Sequence, residues 1–312
     1  MVPAAQCFTP IAVSDAGPRL RCGVFEVEEA RGVCVLLNGQ TEFIEKYFEV
    51  IDELRQRGLA VVAMDWRGQG GSQRLLPDPL KAHVEDFAHY DSDLDALIEK
   101  LARPLAQKLG VPMLAMAHSM GGHLLVRRLH DRQGEFAFAA LCAPMIVIQP
   151  RGTPWWVVEK LSRFINRHAP STEFVWGMAK RDQRTLPFAA NIVTSDPLRY
   201  ARTRDFLIAH SDLRVAGPTW GWLGAALGSI ALLHSDGYAE AITTPTLLLA
   251  AGHDQVCDSD ALARFGARMP NARLVCIAGA EHEILMERDV FRAQLWAALD
   301  DFMADITKRP RV

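Results

Sequence analysis

Short apolar runs alternate with longer amphipathic stretches along most of this chain. Residues 19–28 alternate polar and apolar side chains, and this two-residue period predicts a half-exposed β-strand. Six further runs are apolar at nearly every position, as in parallel strands that are covered on both faces. These runs are 33–39, 59–66, 111–119, 137–148, 245–254 and 273–279.

Apolar positions three and four residues apart predict helices between these strands. The clearest helical stretches are 43–58, which ends on Gly58 as a C-cap, 84–110 and 289–306. This alternation of strands and helices predicts an α/β fold with a mostly parallel, doubly wound sheet. In such folds, ligands bind at the carboxyl ends of the strands.

The alternation stops between residues 149 and 234. This segment holds five of the seven tryptophans, and it has eleven Lys or Arg residues against six Asp or Glu residues. We predict that residues 149–234 form a helical cap inserted after the sixth strand. Residues 1–148 and 235–312 are then expected to form one core domain.

Composition excludes several classes of function. The 312 residues carry a formal net charge of −3, which argues against nucleic-acid binding. No apolar run is long enough to predict a membrane-spanning helix, and the first residues lack the basic and apolar regions of a signal peptide. The six cysteines have no metal-ligand spacing. We therefore expect a cytoplasmic protein with buried, reduced thiols, no metal and no cofactor; disulfides are the alternative.

Ser119 stands between an apolar run and two glycines in the sequence AHSMGG. A nucleophile elbow has this order of strand, serine turn and helix, and it requires small residues two positions before and two after the serine. Ala117 and Gly121 occupy those positions, and Gly122 lets the helix pack closely on the sheet. The alternative is a serine that only caps a helix N-terminus. We predict that Ser119 is a catalytic nucleophile.

A serine hydroxyl needs a neighbouring base, and that base needs an acid to orient it. In this type of sheet the chain order is serine, acid, histidine. Asp254 ends the run 245–254, and His282 follows the run 273–279. We predict that Asp254 and His282 complete a catalytic triad. The nearby competitors for these roles are His253, Asp258 and Asp260.

Attack on an ester carbonyl also needs two backbone N–H donors for the developing oxyanion. One donor is expected at Met120, directly after Ser119. The other is expected at Gln40, which follows Gly39 at the end of the run 33–39. Both expectations rest on position, because the backbone rather than the side chain makes the contact.

Five motifs spread between Val33 and Asp289: LLNGQTEFIEKYFEVIDEL, DWRGQGGSQR, AHSMGG, AAGHDQV and AEHEILME. They resemble the α/β-hydrolase superfamily and, within it, the lysophospholipase and monoacylglycerol-lipase branch. The resemblance implies the α/β-hydrolase fold and the catalytic roles given above. That branch typically has His-Gly in the oxyanion loop, where this chain has Asn38-Gly39. The departure bears on substrate fit more than on backbone chemistry.

The segment DWRGQGGS, residues 65–72, is rich in glycine like a phosphate-binding loop. It lacks the G-x-G-x-x-G spacing and a helix that opens directly on it. We interpret it as a turn packed under the active site.

Together these residues predict a serine hydrolase that cleaves carboxylic esters of lipid-like substrates, such as lysophospholipids or monoacylglycerols, through an acyl-enzyme. The alternatives are a peptidase or small-ester hydrolase of the same fold, and a catalytically inactive ligand-binding member. The tryptophans of the cap either line an acyl-chain channel or form the core of the cap.

A lipid substrate raises the question of contact with a membrane surface. The basic excess and the tryptophans of residues 149–234 predict peripheral contact between the cap and an anionic interface. The alternative is that the arginines of the cap pair with nearby acids, namely Asp182, Asp196, Asp205 and Asp212. No nucleic-acid partner is expected.

Overall fold

The computed structural model describes residues 8–149, 155–178 and 182–308. Their main feature is one eight-stranded sheet. Its strands are β1 Phe8–Ala12, β2 Arg19–Phe25, β3 Gly32–Leu37, β4 Leu59–Met64, β5 Met113–His118, β6 Ala139–Cys142, β7 Thr246–Ala251 and β8 Ala272–Ile277. The strand order is β1-β2-β4-β3-β5-β6-β7-β8. The β1-β2 and β2-β4 pairs are antiparallel and the others are parallel, so the predicted mostly parallel sheet is confirmed.

The sheet separates two hydrophobic layers. In β3, Val33, Val35 and Leu37 face one layer, whereas Cys34 and Leu36 face the other. Successive side chains of a strand point to opposite faces, so a strand covered on both faces must be apolar at every position. This is why its sequence shows a continuous apolar run rather than an alternation.

Nine α-helices are present in the described residues. They are α1 Phe48–Gln56, α2 Ala88–Leu97, α3 Arg103–Leu109, α4 Ser119–Asp131, α5 Trp155–His168, α6 Pro197–Ala209, α7 Trp220–Leu233, α8 Ser259–Gly266 and α9 Asp289–Lys308. A single π-helical turn, Ile98–Ala102, joins α2 to α3. Gly58, with a φ of 71°, directly follows the C-cap residue of α1, Arg57. Within the parts of the chain that the structure describes, no helix is both long and apolar enough to cross a membrane.

Two features of the sheet edges differ from the sequence expectations. Strand β1 has no apolar period, because only Ile11 of its five residues is buried, and the sequence pattern therefore missed it. Strand β8 lies at the other edge, where several of its side chains are exposed.

The expectation that all cysteines are buried is wrong for Cys276, which lies on β8. Cys7 falls outside the described residues. The remaining cysteines are free and buried: Cys22, Cys34, Cys142 and Cys257.

Residues 149–234, which we call the cap segment, follow β6 and contain α5, α6 and α7. A short parallel pairing of Lys81–Ala82 with Gly217–Pro218 joins this segment to the loop before α2. Three of the basic residues counted in the segment, Arg151, Lys180 and Arg181, lie outside the described residues.

Candidate active site

Ser119 lies at a sharp turn between β5 and α4. Its φ is 50°, in the left-handed region that costs a non-glycine residue about 1–3 kcal/mol. A side chain at Gly121 would place its Cβ 2.5 Å from the carbonyl oxygen of Asn38, so only glycine fits there. At Gly122 the corresponding Cβ would lie 2.7 Å from that of Pro144. The two glycines thus let α4 start directly against the sheet, with the strained serine at its tip.

His282 lies between Ser119 and Asp254. Its Nε2 is 2.9 Å from Ser119 Oγ, and its Nδ1 is 2.8 Å from Asp254 Oδ2. The side chains of His282 and Asp254 are only 5% and 1% exposed, so bulk water does not compete for these hydrogen bonds. The structure therefore brings together the three residues that the sequence predicted as a triad, in the arrangement of nucleophile, base and acid.

The Asp254 carboxylate is held in place by the backbone as well. Its Oδ1 accepts hydrogen bonds of 2.8 Å from the N–H groups of Val256 and Cys257. Burial alone would raise the pKa of Asp254, but the hydrogen bonds from His282 and from these N–H groups outweigh it and lower the pKa. Asp254 is thus kept as an anion facing His282.

The competing residues are engaged elsewhere. His253 Nδ1 lies 2.8 Å from a carboxylate oxygen of Glu281 and is exposed. Asp258 accepts a hydrogen bond from the N–H of Ala261 and caps α8. Asp260 lies in the first turn of the same helix. None of the three is hydrogen-bonded to His282 or Ser119.

The two expected oxyanion donors, Met120 and Gln40, belong to two segments that meet at Ser119. Met120 is in the first turn of α4, where backbone N–H groups have no helical acceptor, and no side chain caps this end. The loop after β3 comes close, since a Cβ at Gly39 would be 3.2 Å from that of Ser119. Within the described residues the N–H of Gln40 has no protein acceptor. Thr41 next to it has a φ of 63°, a strained value for a β-branched residue.

A buried ionic cluster, which the sequence did not indicate, connects this loop to His282. The Glu42 carboxylate accepts hydrogen bonds from the N–H of Gly39, from Tyr47 Oη at 2.6 Å and from Lys46 Nζ at 2.7 Å. Lys46 Nζ also lies 2.6 Å from a carboxylate oxygen of Glu283, the residue after His282. The Lys46 ammonium thus bridges the loop after β3 (residues 38–43), which we call the oxyanion loop, and the loop after β8 (residues 278–283).

The two acids of this cluster have different pKa shifts. Burial would raise the pKa of Glu42, but Lys46 and the other hydrogen-bond donors lower it to about 2. For Glu283, burial prevails and the negative charge of Glu42 adds to it, so that its pKa is raised. Two carboxylates that share one cation cannot both be fully compensated.

The sequence also did not point to two further side chains, His118 and Cys257, beside the three residues predicted as a triad. Burial lowers the pKa of His118 to about 4, so this ring, whose centre lies 4.8 Å from that of His282, is neutral at pH 7. Burial raises the pKa of the Cys257 thiol well above its usual value.

The ligand atoms of Asp254, Cys257 and His282 lie within 4.8 Å of one another and form a set that can hold a metal ion. In this structure, however, the carboxylate and imidazole bind each other, which suits proton transfer.

Residues 28–289 match the family described as serine aminopeptidase, S33. The chain belongs to this family. It is 33% identical over 287 residues to lysophospholipase L2 of Escherichia coli, a match that covers 89% of this chain and 82% of that protein.

More distant relatives agree with this placement in the family. Human monoglyceride lipase is 25% identical over 231 residues, covering 71% of this chain and 65% of that protein. A solved structure of a soluble variant of Saccharomyces cerevisiae monoglyceride lipase superposes with a TM-score of 0.78 at 19% identity, covering 98% of this chain and 96% of that one. The α/β-hydrolase fold is therefore confirmed, and family and relatives indicate a carboxylic ester hydrolase.

Proposed function

We propose that this protein hydrolyses carboxylic esters of lysophospholipids or monoacylglycerols through an acyl-enzyme on Ser119. The observation that carries the proposal is the continuous hydrogen-bonded path from Asp254 through His282 to Ser119. The names of the relatives support the lipid-like substrate class.

In the proposed reaction, Ser119 Oγ attacks the ester carbonyl carbon while its proton moves to His282 Nε2. Asp254 stabilises the imidazolium, and the N–H groups of Gln40 and Met120 stabilise the oxyanion. The tetrahedral intermediate then collapses, and His282 gives its proton to the departing alcohol. Water, deprotonated by His282, then attacks the acyl-enzyme. The bond to Ser119 Oγ breaks as His282 returns the proton to that oxygen, and the fatty acid is released.

We propose that the cap segment covers this site. Support comes from its hydrogen bonds to the loop after His282: the carbonyl of Val193 accepts from the N–H of Glu283 at 2.7 Å, and Thr194 Oγ1 donates to the carbonyl of Met286 at 2.7 Å. The cap segment also reaches the oxyanion loop, where Gln183 Nε2 lies 3.5 Å from Thr41 Oγ1. A segment bonded to both catalytic loops is well positioned to control substrate entry.

We propose that an acyl chain binds along the α7 side of a groove of about 840 Å³ between α5 and α7. The α5 side of this groove is polar, with Glu159, Ser162, Arg163, Asn166 and Arg167, and no triad residue lines it. The α7 side of this groove is lined by small and aliphatic residues: Gly221, Gly224, Ala225, Leu227, Gly228 and Ile230. Its volume is within the usual range of small-molecule sites. Among the tryptophans whose side chains the structure describes, none lines the groove. Trp220 and Trp222 are buried, whereas Trp156 and Trp176 are 61% and 70% exposed.

We further propose that the outer face of α5 contacts the lipid surface. Of the eleven large hydrophobic side chains that are exposed in the described residues, eight lie in the cap segment. On α5, Trp156 and Phe164 share one face with Lys160 and Arg167. Aromatic and basic side chains on one helix face are typical of an interfacial helix.

Most of the positive charge of the segment is already paired. Six of its eight described basic residues form ion pairs with acids, and Asp182, Asp196 and Asp205 are among the partners. Asp212 instead accepts a hydrogen bond from Arg74 through its backbone carbonyl. Among described residues, Lys160 and Arg167 have no acidic partner. A small electrostatic contribution, about 1 kcal/mol per free basic residue, is therefore expected.

The substrate class is tested with a panel of short esters, long-chain monoacylglycerols, lysophospholipids and aminoacyl amides. We expect turnover of the two lipid classes by the wild-type protein and none by Ser119→Ala. Amide cleavage exceeding ester cleavage would instead favour the peptidase alternative.

Co-sedimentation with vesicles at low salt tests the surface contact. Binding should be several-fold stronger to anionic than to neutral vesicles, and equal binding contradicts the electrostatic part of the proposal.

A further inference from the structure

The segment DWRGQGGS, residues 65–72, forms a tight turn that directly follows β4 and contacts the oxyanion loop. Asp65 organises the turn, since its Oδ2 accepts from the N–H of Gly71 at 2.7 Å and its carbonyl accepts from Ser72 Oγ at 2.5 Å. Gly70 has a φ of 53°, and a Cβ there would collide with the Asp65 carboxylate at 2.2 Å. The turn thus presents the side chain of Gln69, which is only 1% exposed, at a fixed position.

Gln69 makes three hydrogen bonds to the oxyanion loop. Its Oε1 accepts from the N–H of Thr41 at 3.1 Å, and its Nε2 donates to the carbonyl oxygens of Gly39 at 2.8 Å and of Glu42 at 3.3 Å. The partners fix the orientation of the amide, because an N–H requires an acceptor and two carbonyls require donors. Every polar atom of this side chain is therefore used to hold one short loop.

The bond to Gly39 has a direct consequence for the expected oxyanion donor. The carbonyl of Gly39 and the N–H of Gln40 belong to the same trans peptide unit, in which they point in opposite directions. Holding the carbonyl towards Gln69 turns the N–H away from Gln69 and leaves it without a protein acceptor among the described residues. The hydrogen bond from the N–H of Thr41 to Gln69 Oε1 holds the strained residue that follows Gln40.

We propose that Gln69 is a positioning residue that orients the Gln40 N–H for the oxyanion. The inference rests on the proposed function, because it assumes that Ser119 attacks an ester. Gln69 touches no reacting atom; it acts by fixing one peptide unit. An oxyanion donor accelerates the reaction only when it is held in place before the charge develops.

The test replaces Gln69 by Met, which has a similar length and forms none of the three hydrogen bonds. We expect kcat for a soluble ester to fall 10- to 100-fold while KM changes less than threefold, because the contact is made only in the transition state. Affinity for a trifluoromethyl ketone, which forms a tetrahedral oxyanion with Ser119, should fall by a similar factor. A folded Gln69→Met protein with kcat within twofold of wild type overturns the proposal.

The matched control is Gln133→Met. Gln133 also bonds to a backbone carbonyl, that of Ala241 at 2.6 Å, and to a threonine hydroxyl, but it lies outside the site. Its substitution should leave both kcat and ketone affinity unchanged. If Gln69→Met does not fold, Gln69→Glu carries the test: it keeps the acceptor for Thr41 but places a carboxylate against two carbonyls. It should lose at least as much kcat, and wild-type kcat in a folded Glu variant overturns the proposal.

Labelling of Ser119 by a fluorophosphonate separates this proposal from the proposed function. Phosphonylation also develops negative charge on an oxygen in the oxyanion site, so Gln69→Met should be labelled at least 10-fold more slowly than wild type. If the wild-type protein is not labelled and hydrolyses no ester, the proposed function fails. If wild type and variant are labelled at the same rate, only the role of Gln69 fails.

Discussion

The carboxyl edge of the sheet and the cap segment differ in how their side chains are held. Ser119 and His282 are 9% and 4% exposed, and each is fixed by hydrogen bonds to other parts of the core. In the cap segment, Trp156 and Leu198 are 61% and 80% exposed. In the proposed function, the chemical step uses buried, hydrogen-bonded side chains, whereas substrate capture uses an exposed surface. Substitutions in the two regions should therefore change different observables.

Removing the base or the acid should have the largest effect. His282→Ala should lower kcat by roughly 10⁵- to 10⁶-fold and Asp254→Asn by about 10⁴-fold, because the nucleophile loses its proton acceptor or the acceptor loses its orientation. Steady-state kinetics on a soluble short ester measures this loss. His253→Ala is the matched control, and it should keep kcat within threefold. Comparable losses in the control would contradict the assignment.

These residues could be predicted because each lies directly after a strand whose apolar run is visible in the sequence. Ser119, Asp254 and His282 are linked by the topology of the sheet rather than by sequence distance. Gln69 and Lys46 could not be predicted in the same way, because their roles arise from contacts between separate loops. The fold was predictable for strands covered on both faces, but not for β1, where a single side chain is buried.

Ion pairs in the two regions should contribute differently to the free energy of unfolding. Lys46→Met leaves the buried carboxylates of Glu42 and Glu283 without their shared cation, so the free energy of unfolding should fall by about 3–5 kcal/mol. Adding Glu283→Gln should recover part of this loss. On the cap segment, Arg163→Met breaks an exposed pair with Glu159 and should cost less than about 1 kcal/mol. Urea unfolding of the four proteins measures these values, and equal losses would contradict the contrast.

A buried histidine, His123, lies where the core meets the cap segment, and it should make the stability of the fold depend on pH. His123 Nδ1 lies 2.8 Å from the carbonyl of Met145, and its Nε2 lies 2.7 Å from Ser229 Oγ on α7. Burial lowers the pKa of His123 to about 3. Below pH 6.5 the unfolded chain binds a proton that the folded protein excludes, so stability should fall as pH falls.

Between pH 6.5 and pH 5 this one group should remove about 1.6 kcal/mol of stability. Thermal or urea unfolding across this window measures the slope. His123→Gln should reduce the slope by this amount and leave the similar contribution of His118, whereas the surface change His253→Gln should leave the slope unchanged. If His123→Gln leaves the slope unchanged, the histidine does not remain neutral in the folded protein.

The smallest effect is expected on the surface of α5. Replacing Trp156 and Phe164 by Ser should lower activity on vesicle-bound monoacylglycerol about 10-fold, because less apolar area enters the interface. Activity on a soluble short ester should not change. Leu274→Ser, an exposed apolar position on β8, is the control. Equal losses on both substrates would show that the α5 face acts on the chemical step instead.

Covalent labelling tests the proposed role of Ser119 as nucleophile most directly. The wild-type protein is incubated with a fluorophosphonate, and the adduct is located by mass spectrometry while ester hydrolysis is followed in parallel. We predict one adduct, on Ser119, that forms at the rate at which hydrolysis is lost, and neither labelling nor hydrolysis in a folded Ser119→Ala variant. Preserved ester turnover in that variant, or an adduct on another residue, would contradict the assignment of Ser119 as the nucleophile.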